Sequence, residues 1–332
     1  MSSIPVPDIP VPPQGLIDAA EEGKLVLFVG AGVSRLCGSP DWEGFSRALL
    51  NWLTTKDLIN HSVRMQLLEL PLKMRLSIAL NIADTKEVEL SVEDYRDMLM
   101  TRSPSEKDKG HELYRDLTRI SRYYVTTNYD EWLEFTYPEV TLNEVAADVA
   151  TPKGQRPLVC TPEDLKISNM EDGQVVHLHG SLTNPGSMIL TTNDYLNHYR
   201  NDRGVSPQNP VTEFLHNLFQ KGGWVVLFIG YGLQEMEILE YVLQKSLAFG
   251  EDSSPTCRHY LLRGFYSYEG DLLDHLSSYY EMHCGVRLVP FSLDKSDRMQ
   301  LASVIRDWAK RIKAKPLPPL EKRIEFEKLL EG

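Results

Sequence analysis

Apolar residues fall along this chain in two spacings. Four short runs are almost continuously hydrophobic: Leu25 to Val29, Tyr123 to Thr127, Gln174 to Leu178 and Trp224 to Ile229. Runs without strict alternation suit strands covered on both faces, as in a parallel sheet flanked by helices. Between them, Trp42 to Leu53, Glu112 to Ser121, Val211 to Gln220 and Glu235 to Leu247 carry apolar residues three and four apart, the pattern of a helix with one buried face. Strands alternating with helices predict an α/β fold: a doubly wound, Rossmann-like, mostly parallel sheet whose ligands bind beyond the carboxyl ends of the strands.

The stretch from Asn51 to Arg119 is too long for a simple crossover and has further helical patterns at Met65 to Leu70, Leu72 to Ile82 and Val92 to Met100, so it reads as a helical insertion capping the site. Pro104 to Gly110, charged and rich in breakers, reads as a surface loop. Ala146 to Gly173 reads as loops and short strands at the sheet edge. A helix capped by Ser296 or Asp297 is expected to run to Ile312. The expected organisation is an extended, exposed arm over residues 1–14, one domain over 15–312, and a proline-punctuated tail over 313–332 ending in a charged helix, Glu321 to Leu330.

Composition narrows the function classes. Thirty-five basic against 47 acidic residues give a formal net charge of -12, which disfavours autonomous binding to a phosphate backbone. Cys37, Cys160, Cys257 and Cys284 form no C-x-x-C pair, so neither a zinc ribbon nor a dithiol motif is written, and no metal site is expected. The proline-rich start lacks the apolar segment of a secretory signal, and no run approaches the roughly 20 apolar residues of a membrane span. A cytoplasmic protein with free thiols is the expectation.

Chemistry concentrates where the four strands end. Gly30-Ala31-Gly32 follows the first strand and leads into a polar loop, allowing close backbone approach to phosphate oxygens, although Arg35 stands where a dinucleotide fingerprint has its third glycine. Asn128, after the second strand, offers a donor and an acceptor, or simply serves a turn. Asp130 either belongs to the site or caps a following helix. His179, after the third strand, is a candidate general base or a hydrogen-bonded core residue; His177, two residues earlier, would need further ligands to hold a metal. Gly230 and Gly232 repeat the first glycine pattern, with Tyr231 between them to pack or stack. Ser34 lacks the surroundings of a hydrolytic nucleophile.

The run Gly30-Ala31-Gly32-Val33-Ser34 through Gly38-Ser39-Pro40-Asp41-Trp42 resembles the Gly-Ala-Gly-x-Ser and Gly-x-Pro-Asp-Phe motif of sirtuins. Thr126-Thr127-Asn128-Tyr129-Asp130 resembles their Thr-Gln-Asn-x-Asp motif, and His177-Leu178-His179-Gly180-Ser181 their His-Gly motif. Gly230-Tyr231-Gly232-Leu233 stands where sirtuins have Gly-Thr-Ser. The zinc-ribbon cysteines expected after the His-Gly motif are missing, and Ile189 to Tyr195 leads into a helical pattern instead. Trp42 and Thr127 replace the family's Phe and Gln. These departures are similar to the divergent sirtuin-like branch of bacterial antiphage systems, whose members hydrolyse NAD. The resemblance implies an NAD+ hydrolase with Asn128 orienting ribose or water and His179 as base. It also implies that Ala31, Gly32, Ser34, Gly230, Tyr231 and Gly232 hold the dinucleotide, with Asp41, Trp42 and Asp130 on the nicotinamide side. It further implies activation by assembly, with self-association, a HerA-type ring ATPase or an Argonaute-like protein as partner; the N-terminal arm and terminal helix are where contact is expected. A protein deacylase and a non-catalytic NAD or ADP-ribose sensor are the alternatives.

Overall fold

The computed structural model describes residues 6–100, 103–137, 153–165, 170–199, 209–221, 223–231 and 258–315. Seven strands form one sheet: β1 Leu25–Val29, β2 Tyr123–Thr126, β5 Leu158–Val159, β6 Val175–His177, β7 Val225–Ile229, β8 His259–Phe265 and β9 Val286–Ser292. Their order is β5-β6-β2-β1-β7-β8-β9, and every neighbouring pair is parallel. Strands β3 Phe135–Thr136 and β4 Gly154–Gln155 form a small antiparallel pair. The chain runs to one side of β1 through β2 and to the other through β7, so the order reverses at the β1–β7 neighbour pair. In open α/β sheets ligands bind at such a reversal.

Alternation along β1 decides the two layers. Leu25, Leu27 and Val29 face one core, with α1 Gln14–Glu21, α7 Pro104–Ile120 and α11 Gln300–Arg311. Val26 and Phe28 face the other, with α9 Pro210–His216 and α10 Gly270–Cys284. Between β1 and β2 the helices α3 Trp42–Thr55, α4 His61–Leu68, α5 Leu72–Thr85 and α6 Val92–Leu99 surround a third core of Phe45, Leu49, Leu50, Leu53, Leu76 and Ala79. That third core also takes in Tyr129, Leu182, Met188 and Leu190, which belong to the loops beyond β2 and β6. These helices are therefore packed on the rim loops.

Several expectations change. The loop expected at Pro104 to Gly110 is the first half of α7: Pro104 takes the first helical position, where its missing N–H costs nothing. Gly110 stays small because a Cβ there would lie 2.5 Å from the Trp132 ring. The polar loop expected after Gly30 is a short helix, α2 Ala31–Leu36. Over its described part the arm keeps most of its side chains exposed, with Pro10 and Pro12 buried, but its backbone is tied down. Pro7 O accepts from the Ser292 amide, Asp8 O from Gln300 Nε2 and Pro10 O from Trp308 Nε1, tying the segment to β9 and α11. Helices α1 and α10 and strands β8 and β9 have no counterpart in the expected pattern. The expected helix over Glu235 to Leu247 and the terminal helix lie outside the described residues, as do Gly232 and Cys257. Among the described residues, no helix is long and apolar enough to cross a membrane.

Candidate functional site

The glycines of the first and last motifs meet at the β1–β7 reversal. Gly30 N donates to Ile229 O and Gly32 N to Gly230 O, each at 2.8 Å. A Cβ on Gly32 would lie 2.6 Å from Gly230 O, and Gly230 itself has a φ of +74°. Close approach of two backbones, as well as any ligand, thus demands glycine here. Tyr231 is buried on Phe28 and Phe228, and its hydroxyl lies 2.9 Å from Thr127 Oγ1. It packs, whatever else it does.

From β2 the chain delivers Asn128 and Asp130 into a buried hydrogen-bond network. Asn128 Nδ2 donates to Ser34 Oγ at 2.9 Å, and Ser34 Oγ donates to Asp130 Oδ2 at 2.6 Å. The Tyr114 hydroxyl, from α7, lies 3.0 Å from the same Ser34 oxygen. Burial raises the Asp130 carboxyl above the ordinary carboxylate range, against the lowering influence of the Ser34 hydroxyl. The other Asp130 oxygen accepts from the Trp132 amide at 3.3 Å, while the cap position of the turn Trp132–Glu134 is held by Glu131. With Nδ2 committed to Ser34, Asn128 Oδ1 makes no hydrogen bond among the described residues. It is the acceptor the site keeps in hand.

Parallel pairing of β2 with β6 opposes Thr126 and His177, so Asn128 and His179, each two residues further on, emerge at the same rim. Gly180 follows with a φ of +81°, where a Cβ would meet Ser187 O at 2.1 Å; this tight turn is the physical content of the His-Gly pair. His179 is buried, its ring edge-on to Tyr195, His198 and Tyr199 of α8 Thr192–Tyr199. Its Nε2 lies 2.7 Å from the Tyr199 hydroxyl. Burial, with His198 alongside, pushes its pKa down to about 3, so the ring is neutral at pH 7. If Nε2 carries the proton and donates to Tyr199, Nδ1 is left as the free base.

His177 is a positioning residue. The main-chain carbonyl of Asn128 can only accept, so His177 Nδ1, 2.8 Å away, carries a proton toward it. The opposite nitrogen lies 3.4 Å from Glu134 Oε1, which accepts from Ser181 Oγ. The hydrogen bonds here are thus Ser181 to Glu134 and His177 to the backbone of Asn128, with His177 Nε2 making none among the described residues. No group of three or more His, Cys, Asp or Glu suited to a metal occurs among the described residues.

Ala31 and Gly32 stand half-buried at the start of α2. Asp41 is an exposed cap: its carboxylate accepts from Gly44 N at 2.9 Å and lies 3.6 Å from Arg35. Trp42 sets its ring edge against Phe45 and Tyr129, beside the Asn128 loop. The structure thus joins Ser34, Asn128 and Asp130 directly, sets His179 on the neighbouring strand, and keeps Asp41 out of the buried network. Tyr114, Glu134 and Tyr199 are the additions. Tyr114 was hidden in the apolar stripe of α7, Glu134 in a charged run after the motif, and Tyr199 in the segment that replaces the ribbon; only a structure brings their polar ends to the site.

The family model for the SIR2-like domain matches residues 122–282. That span holds β2 with Asn128, β6 with His179 and β7 with Gly230. No curated protein matches the chain.

Proposed function

From the premise that this chain carries a SIR2-like domain, we propose that it is an NAD+ hydrolase releasing nicotinamide and ADP-ribose. We propose further that it is the effector of a bacterial antiphage system, activated by assembly or by a partner protein. The observation that supports the reading best is the pairing at one rim of Asn128, with an uncommitted Oδ1, and His179, a neutral imidazole.

The bond to be broken joins the ribose anomeric carbon to the nicotinamide nitrogen. Its electron pair leaves with the nitrogen, which becomes neutral, so departure needs little acid catalysis; the site must accommodate an oxocarbenium-like sugar and deliver water to it. Asn128 Oδ1 accepts from a ribose hydroxyl or from that water, held in place by Ser34 on one side and His177 on the other. His179 takes the proton. A base with a pKa near 3 suffices, because water bonded to an electron-poor anomeric carbon is itself strongly acidic, and a neutral ring does not repel the cationic sugar. In this reading Ala31, Gly32, Ser34, Gly230 and Tyr231 are assigned to the dinucleotide side, and Trp42 and Asp130 to the nicotinamide side.

Nicotinamide release from NAD+ by the purified chain, alone and with the product of a neighbouring gene, is the test. Turnover independent of any acylated peptide is expected, and Asn128→Ala and His179→Ala should each lower it at least about 100-fold, the usual scale for acid–base and positioning groups. Strictly peptide-dependent turnover would instead mark a deacylase. Nucleotide binding without turnover under any activating condition would mark a sensor.

A further inference from the structure

One buried hydroxyl outside the candidate set meets Asn128 where the strands end. Thr126, the last residue of β2, stands opposite Val29 of β1 on one side and His177 of β6 on the other. Its Oγ1 donates to Val29 O at 2.7 Å, and the Asn128 main-chain N donates to the same Oγ1 at 3.0 Å. Both directions are fixed, because a carbonyl can only accept, a main-chain amide can only donate, and a hydroxyl does one of each. Gly30 follows Val29, so this one side chain ties the start of the glycine turn to the residue that carries the uncommitted Oδ1.

Asn128 is thereby held at three points by three elements. Strand β2 takes its N–H through Thr126, β6 its carbonyl through His177 Nδ1 at 2.8 Å, and α2 its Nδ2 through Ser34 Oγ at 2.9 Å. The first two bonds pin the peptide planes on either side of Asn128 and so set the direction of its Cα–Cβ bond. Ser34 then sets the turn of the carboxamide. Thr126 is 1% exposed, so solvent does not stand by to replace a lost bond. Valine there would keep the branched shape yet deprive Val29 O of a donor and leave the Asn128 N–H buried without an acceptor, a rare and costly state. Serine would keep both bonds.

We propose that Thr126 is a positioning residue for the reaction: its hydroxyl sets the main chain of Asn128 against the end of β1 and thereby aims Oδ1 at the ligand. The chemistry that Oδ1 performs rests on the hydrolase reading; the positioning rests on the hydrogen bonds of this chain. It matters because a group that must meet a ribose hydroxyl or an attacking water loses up to about 100-fold in rate when displaced by about 1 Å.

NMR of the full chain with isotope-labelled asparagine, using Asn128→Asp to assign the signals, compares the parent with Thr126→Val and Thr126→Ser. Thr126→Val should move the Asn128 carboxamide signals while those of Asn60, the cap of α4, stay in place; Thr126→Ser should leave both where they are. With NAD+ as substrate, Thr126→Val should lower kcat at least about tenfold with KM within about threefold, and Thr126→Ser should recover most of that loss. A role in stability alone would shift the thermal midpoint without this split. The parent supplies a check that needs no variant: its Asn128 main-chain amide should be among the slowly exchanging ones. Fast exchange there, unmoved carboxamide signals in Thr126→Val, a Thr126→Ser protein that behaves like Thr126→Val, or an unchanged kcat in an active protein would each overturn the proposal. A parent that turns over no NAD+ under any activating condition would sink the hydrolase reading alone, since the asparagine signals still decide whether Thr126 positions Asn128.

Discussion

At the scale of single residues, the unusual feature is a proposed general base that burial has made a poor base. The His179 ring meets those of Tyr195, His198 and Tyr199 and lies 2.7 Å from the Tyr199 hydroxyl, and its pKa is pushed down to about 3. The acid limb of kcat should therefore lie near pH 3 to 4, or be hidden by unfolding, and should not appear near the ordinary histidine value of about 6.5. A pH–rate profile measures this. An acid limb with a midpoint between 6 and 7, abolished in His179→Ala, would show that the imidazole works in a more open setting. Tyr199 fixes which nitrogen is available, so Tyr199→Phe should change the rate by freeing the tautomer while leaving NAD+ binding in place.

At the scale of elements, the rim depends on two strand ends that approach within contact of each other. Substituting Gly32 with Ala would drive a Cβ to 2.6 Å from Gly230 O, and both sides of that clash are backbone. The expected cost is roughly 1–3 kcal/mol, the range for overpacking. Gly186→Ala is the control, since its Cβ would find only Asn184 Oδ1 at 3.8 Å. Urea midpoints of the two variants give the comparison, and a Gly32→Ala protein as stable as the parent would remove the close-packing explanation. The strands bearing Gly30, Asn128, His179 and Gly230 were legible because each is a short apolar run that stops at a polar or glycine-rich motif. Strand β8 was not: His259 and Arg263 interrupt it, and the His259 ring is buried by accepting from the Val226 amide and lying 3.0 Å from Phe219 O, compensation that no local pattern reveals. Strand β9 was missed for a similar reason, with Arg287 and Pro290 inside it. Proline is tolerated there because β9 is the last strand of the sheet. In the site itself, Ser34 was read as a ligand contact, yet its hydroxyl is the hub joining Asn128, Asp130 and Tyr114; sequence supplies the residue type, and only the fold supplies the partners.

For the whole molecule, assembly and acidity make separate demands. Activation by association predicts that nicotinamide release per chain rises with protein concentration or with added partner, together with the mass seen by light scattering; a monomer working at full rate alone would end that part of the proposal. The acid response follows from the buried histidines. His179 is lowered to about 3 and His259 to about 4, both chiefly by burial, and His111 and His198 are lowered for the same cause. Unfolding returns these rings to the ordinary value near 6.5, so between their folded values and 6.5 the unfolded chain binds more protons and stability rises with pH. Asp130, raised by burial, acts the other way: the folded chain holds its proton longer, which favours folding on the acid side. One carboxyl set against four histidines leaves the histidine direction in control. Urea unfolding at pH 5 should thus give a lower midpoint than at pH 7.5 with little change in slope, and His179→Asn should flatten the difference by removing one titrating ring. A midpoint that is equal or higher at pH 5 would mean that water reaches these histidines in the folded protein, and with it the neutral, enclosed imidazole on which the proposed chemistry is built would be lost.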